Sequence, residues 1–200
     1  MKIMLIGASG TLGKAVSAEL ITRHEVVAIG RSSGDFQADM REVKSLQTAF
    51  QKAGKADAIV CTAGSVHFGP WAELTPEKFD LGLRDKLMGQ VNVVLAGQAF
   101  LNEGGSFTLT SGILSEDPIR YGAAASLVNG AIESFVRAAA IEMTRGLRIN
   151  AVSPTVVEES MPAFGQHFRG YKPVPARDAA LAYSKSVEGL QTGQIYKVWL

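Results

Sequence analysis

Three glycines, Gly7, Gly10 and Gly13, recur at intervals of three directly after an apolar run, and their spacing suits one kind of chemistry, the binding of a phosphate by main chain. A tight turn needs positive φ angles, and a phosphate reaches backbone N–H groups only where no Cβ stands in the way. With Ser9, Thr11 and Leu12 between them, these glycines form a candidate cradle for a pyrophosphate. The alternative is a glycine-rich turn that merely joins a strand to a helix. Other reactive side chains lack company. His24, His67 and His167 belong to no partner motif, a partly exposed loop position being the ordinary reading of His67. No spacing of metal ligands is present. The single cysteine, Cys61, excludes an internal disulfide and reads as a small buried hydrophobe.

A cradle works only if the elements on either side hold it. Ile3 to Ile6 is a short apolar run without helical spacing, which suits a strand buried on both faces of a parallel sheet. Leu12, Ala15, Val16 and Leu20 then recur at helical intervals, so a helix opens where the glycines end. Its free N–H groups and the positive end of its dipole point into the turn, where the pyrophosphate of a dinucleotide would sit. Further apolar runs predict strands at Val26 to Ile29, Ala58 to Cys61, Ser106 to Thr110, Leu147 to Val152 and Ile195 to Leu200. Val43, Leu46 and Phe50 mark one helix, Pro76 to about Leu101 a long one, and Ile132, Phe135, Val136, Ala139, Ala140 and Met143 the clearest apolar stripe. Alternating strands and helices predict an α/β fold with one doubly wound parallel sheet of Rossmann type, a single domain over residues 1–200.

Ligands of such sheets bind at the carboxyl ends of the strands. After the second strand, Arg31 and Ser32 stand where an adenosine ribose would lie, and an arginine there favours a 2′-phosphate, hence NADP, with NADPH preferred over NADH. The plain alternative is a solvated arginine in a turn. Asp39, followed by Met40, would place a carboxylate near the adenine amino group, or else cap a helix. Composition bounds the partners. Lys and Arg total 20 against 19 Asp and Glu, so no global field draws in nucleic acid or an anionic membrane. With 46% hydrophobic residues, no apolar run of membrane-spanning length and an N-terminus that reads as a core strand, a cytoplasmic protein is expected.

The element after the third strand, Cys61-Thr62-Ala63-Gly64, makes a resemblance specific: the chain resembles the short-chain dehydrogenase/reductases over nearly its whole length. Gly7 to Gly13 is similar to that family's cofactor turn, with the middle glycine one place early. Ala63 and Gly64 match the end of its Asn-Asn-Ala-Gly element. Arg148-Ile149-Asn150-Ala151-Val152-Ser153-Pro154 matches its sixth-strand signature, with Thr155 in place of the following glycine. The resemblance implies that Ala63, Gly64, Pro154 and Val156 join the glycine turn in binding the cofactor.

The family's catalytic pair, a tyrosine acid/base and a lysine four residues later, aligns with Ala125 and Asn129, which cannot do that work. Ser111 stands near the family's serine, one position out of register, and is expected to bind a carbonyl oxygen. Tyr121, four residues before Ala125, reaches the cleft if the helix extends back that far, although Asp117-Pro118 and Gly122 argue for a loop. The family's asparagine on the long helix aligns with Lys86, so lysine and asparagine stand exchanged. Lys86 would then touch the nicotinamide ribose or the carbonyl site with Asn129 as its hydrogen-bond partner, unless it is an ordinary surface lysine.

Residues 156–175 fall where the family carries its substrate lid, and Met161, Phe164, Phe168 and Tyr171 would give it an apolar inner face. Glu158 and Glu159 stand near the family's threonine contact to the nicotinamide amide. Two functions stay open: an NADP-dependent oxidoreductase of a small, largely apolar carbonyl or alcohol, and a non-catalytic NADP-binding protein on the same scaffold. The resemblance also implies a homodimer or homotetramer packed through the helix that carries Asn129. Small residues at Ala138 to Ala140 permit close approach, unless Glu133 and Arg137 are solvent-exposed.

Overall fold

The computed structural model describes residues 1–199. Seven strands form one parallel sheet: β1 Lys2–Ile6, β2 Glu25–Gly30, β3 Phe36–Gln37, β4 Ala56–Cys61, β5 Leu101–Thr110, β6 Arg148–Pro154 and β7 Ile195–Val198. Their spatial order is β3-β2-β1-β4-β5-β6-β7, so the chain reverses direction across the sheet between β1 and β4. That reversal opens a crevice at the carboxyl edge. Helices α1 Thr11–Leu20, α2 Val43–Ala53, α3 Pro76–Gly82, α4 Met88–Gly97, α5 Ala123–Glu142, α6 Met161–Phe164 and α7 Ala176–Glu188 complete the fold.

Alternation along the strands explains why both faces are covered. On β1, Met4 and Ile6 turn to one face, where they join Leu46 and Phe50 of α2, Val93 of α4 and Ile132 of α5. Ile3 and Leu5 turn to the other, against Val16 and Leu20 of α1 and Tyr183 and Val187 of α7. A strand apolar at every position therefore belongs between two helical layers, as its sequence predicts.

Several elements differ from expectation. The long helix is not continuous: α3 runs into a π-helical turn over Leu83–Leu87, α4 follows, and a 3₁₀ turn at Gln98–Phe100 ends it before β5 begins at Leu101. Gly97 brings α4 close to the sheet, since a Cβ there would lie 2.7 Å from Ile59 and 2.9 Å from Phe107. Strand β3 and helix α7 have no counterpart in the sequence reading. β3 is two residues long, too short for periodicity to register. Helix α7 buries mostly alanine and serine, with Tyr183 and Val187 its only large buried side chains, so few bulky apolar residues mark its inner face. The last strand ends at Val198, and Leu200, assigned to it from sequence, lies outside the described residues. No described helix is long and apolar enough to cross a membrane.

Candidate active site

The glycine turn fits its proposed task. Gly7 adopts φ +86°, and a Cβ on it would lie 2.9 Å from the backbone nitrogen of Ala63. Gly13 packs so closely under the turn that a Cβ would come within 2.0 Å of the Gly7 carbonyl oxygen. Thr62 locks the arrangement by donating its hydroxyl to the Ile6 and Gly7 carbonyls, at 3.1 and 3.2 Å. Helix α1 starts at Gly10 with no side-chain cap and no acidic residue in its first turn. Its first N–H groups are left for a ligand.

A cavity of about 440 Å³ lies against this turn, lined by Gly7, Ser9 and Gly10, by Arg31, Ser32, Asp39 and Met40, and by Ala63 and Gly64. The residues chosen from sequence as an adenosine site thus share one wall system with those chosen for the pyrophosphate. Asp39 does not cap α2, which begins after Glu42. Its carboxylate accepts from the Arg41 guanidinium, Nε–Oδ1 2.9 Å, and from the Arg41 backbone N–H at 3.0 Å. Hydrogen bonding from Arg41 holds that carboxyl down at about 2, so it is ionised at neutral pH.

A second, more apolar cavity of about 240 Å³ is lined by Thr11 and Leu12, by Pro154, Thr155 and Val156, and by Phe68, Phe164 and Phe168. Residues 156–175 form its cover. The ends of this segment are tied by Glu158 N–H to Val174 O, 2.8 Å, and Val174 N–H to Val156 O, 3.2 Å. Phe164 packs on Phe68 with ring centroids 5.7 Å apart, and Phe168 on Tyr171 at 5.5 Å. Met161 and Tyr171 pack against the same apolar cluster. Glu159 faces away from the cavity's chemistry: its carboxylate accepts from the Ala176 N–H at 3.0 Å and caps α7.

Lys86 sits in the π-helical turn and reaches between two other elements. Its Nζ donates to Asn129 Oδ1 at 2.7 Å and to the Ser111 carbonyl at 3.0 Å. Asn129 is held in turn by its Nδ2, 3.3 Å from the Gly112 carbonyl oxygen. Gly64 makes room for the lysine stem, because a Cβ there would lie 2.6 Å from Lys86 Cγ and 2.9 Å from its Cα. Burial lowers the Lys86 amine from its usual 10.5 to about 8.

Ser111 and Tyr121 make their side-chain contacts away from the Lys86 amine. The Ser111 hydroxyl donates to Glu133 Oε1 at 3.0 Å, and the residue is buried. Only its backbone carbonyl meets Lys86. Tyr121 precedes α5 on a turn, at φ +71°, with its ring edge-on to His167 at 5.9 Å and under Arg120 at 4.7 Å. The helix does not extend back to it, and no hydrogen bond joins it to Lys86, Asn129 or Ser111 among the described residues. Glu133, for which solvent exposure was the alternative reading, is 3% exposed. Its Oε1 accepts from Ser111, Ser115 at 2.7 Å and Ser153 at 3.3 Å, and only the exposed Arg137 approaches its other oxygen, at 3.4 Å. An acidic residue one turn after Asn129 on an otherwise apolar face was the available signal, and it was masked by the i,i+4 arginine. Ala125 is buried among Ile113, Leu114, Val156 and Phe168, so that position is apolar.

Comparison with known proteins agrees with the fold. A family model described as Enoyl-(Acyl carrier protein) reductase matches residues 6–187. Among curated relatives, versicolorin reductase stcU of Emericella nidulans is 32% identical over 143 residues, covering 68% of this chain and 54% of its own. The short chain dehydrogenase/reductase AacuN of Aspergillus aculeatus is 31% identical over 172 residues, covering 82% of this chain and 65% of its own. The chain thus spans under two thirds of the length of these relatives. Among solved structures, a Listeria innocua protein is 52% identical with a TM-score of 0.98 over 100% of both chains. A small-chain dehydrogenase in complex with NADPH is 25% identical, with a TM-score of 0.88 over 99% of this chain and 96% of that one.

Proposed function

The chain belongs to the short-chain dehydrogenase/reductase family, and from that premise we propose that it is an NADP-dependent oxidoreductase acting on a small carbonyl or alcohol, with NADPH preferred over NADH. The observation that carries this reading is the cavity itself. The uncapped start of α1 and the glycine turn meet one end of a ligand, and Arg31 with Ser32 meets the other. The solved relative that holds NADPH supports the choice of cofactor. When bound, the cofactor supplies hydride chemistry.

This chain's own residues supply the rest. The α1 N–H groups hold the pyrophosphate, and Arg31 pairs with the 2′-phosphate. Phe68, Phe164 and Phe168 give an aromatic wall to the second cavity, whose small apolar volume suits a compact, largely apolar substrate. With the Ser111 hydroxyl donating to Glu133 and Tyr121 standing before α5, the proton that a carbonyl oxygen takes up on reduction would come from Lys86 or from water. Steady oxidation of NADPH with a panel of aldehydes, ketones and quinones tests the assignment. Tight NADPH binding with no turnover on any of them would instead favour the non-catalytic reading, for which the apolar surroundings of Ala125 speak.

A further inference from the structure

We propose that Lys86 holds the nicotinamide ribose from the π-helical turn, with Asn129 as its positioning partner, so that the charged group of the site enters from the helix opposite α5. This rests on the cofactor reading above. Position is the first argument. β5 lies between β4 and β6 in the sheet. The first cavity reaches Ala63 and Gly64 after β4, and the second reaches Pro154 and Thr155 at the end of β6. The Lys86 amine, bonded to the Ser111 carbonyl just past β5, therefore stands between the two cavities. Its neighbours Gly64 and Asp85 line the first cavity, so a dinucleotide extending from one cavity toward the other would run along this part of the carboxyl edge.

Charge is the second. Both acceptors of the ammonium are neutral carbonyl oxygens, and no carboxylate lies within 4 Å of it among the described residues. A buried cation without a counter-ion is costly, and an apolar side chain would serve the fold better. Two of its three N–H bonds are used, which leaves one for a ribose hydroxyl. Preparation of the geometry is the third. Gly64 is glycine at φ +139° with its missing Cβ occupied by the lysine stem, Asn129 is fixed at both ends of its amide, and the π-helical turn sets Lys86 out of register with the helix on either side.

Competitive labelling of amines with a trace acylating reagent, read peptide by peptide by mass spectrometry, tests this on the wild-type protein. Lys86 should titrate near 8. NADPH should cut its labelling by about tenfold or more and move its titration upward, because the cofactor's phosphates favour the ammonium. Adenosine 2′,5′-bisphosphate, which fills only the adenosine end, should leave it reactive. Lys86→Met should lose about tenfold in NADPH affinity and nothing for the bisphosphate, the latter also reporting that the variant is folded. Should that variant fail to fold, the wild-type labelling decides. If the wild type binds no NADPH, the cofactor reading itself falls. If it binds NADPH while Lys86 stays fully reactive, or if Lys86→Met binds NADPH undiminished, Lys86 is only a structural tie between helices and the proposal is overturned.

Discussion

Arg31 and Lys86 are the two cations whose surroundings say most about what they do. Arg31 lines the larger of the two cavities described, beside Ser32, and is exposed. A charge-assisted contact to a 2′-phosphate is worth about 1.5–3 kcal/mol, or roughly ten- to a hundredfold in affinity. Arg31→Ala should weaken NADPH by that factor and leave NADH unchanged in a fluorescence titration; equal losses for both cofactors would show that Arg31 does not read the phosphate. Lys86 makes a different kind of statement, through pH. Its pKa is depressed in the folded protein, so between about 8 and 10.5 the unfolded chain still carries a proton that the folded one has released. Its contribution to stability is therefore absent below this window and rises as pH climbs through it. Urea midpoints at pH 7.5 and pH 10 should show the wild type gaining on Lys86→Met, and parallel profiles would contradict the depressed pKa.

At the scale of the element, α5 is fastened by a carboxylate rather than by apolar contacts alone. Glu133 gathers hydroxyls from Ser111 at the end of β5, Ser153 on β6 and Ser115 in the following turn. Removing it leaves Ser153 without that acceptor, while Ser115 keeps the Gly112 carbonyl at 3.0 Å and Ser111 the Val152 carbonyl at 3.5 Å. Glu133→Ala should cost about 3 kcal/mol, while Glu133→Gln, which keeps an acceptor oxygen, should cost about 1 kcal/mol. Urea denaturation checks both, and indistinguishable values would mean that the charge and not the acceptor is what matters. This fastening also shows where sequence reading reaches and where it stops. β1 and the glycine turn were legible because each is local: an apolar run, then residues whose φ and missing Cβ do one thing. Lys86 and Asn129 were legible only as a pair, because each looks misplaced alone. The direction of Ser111 was not legible, since on a strand one position decides which face a side chain takes, and the family's spacing was already out of register there. The start of α5 was also not legible: it is set by tertiary packing, and the chain before it turns through Tyr121 in the left-handed region.

For the whole molecule, the unanswered surface is the outer side of the layer holding α4 and α5. Leu95 is 56% exposed on α4, and Ile141 is 87% exposed at the end of α5, with Met88 and Leu127 exposed nearer the cleft. Burial of Glu133 removes one of the two charges that would oppose close approach of such a face. A homo-oligomer through these helices is therefore expected, with light scattering giving a mass at least twice 21.2 kDa. A concentration-independent species at 21.2 kDa would remove that expectation. Leu95→Lys should shift the protein to the monomer if the face is the contact.

The cover of the second cavity leaves and rejoins the body of the protein at almost one place, because Val156 to Glu158 and Val174 run side by side. A segment closed at its feet is a cassette. What lies between the feet can lengthen, shorten or change character at little entropic cost, since closing a longer loop is penalised only logarithmically, and neither β6 nor α7 has to move. The sheet and the lining of this cavity can thereby change separately: β6 and α7 keep their places while the stretch between Val156 and Val174 alters the wall it presents.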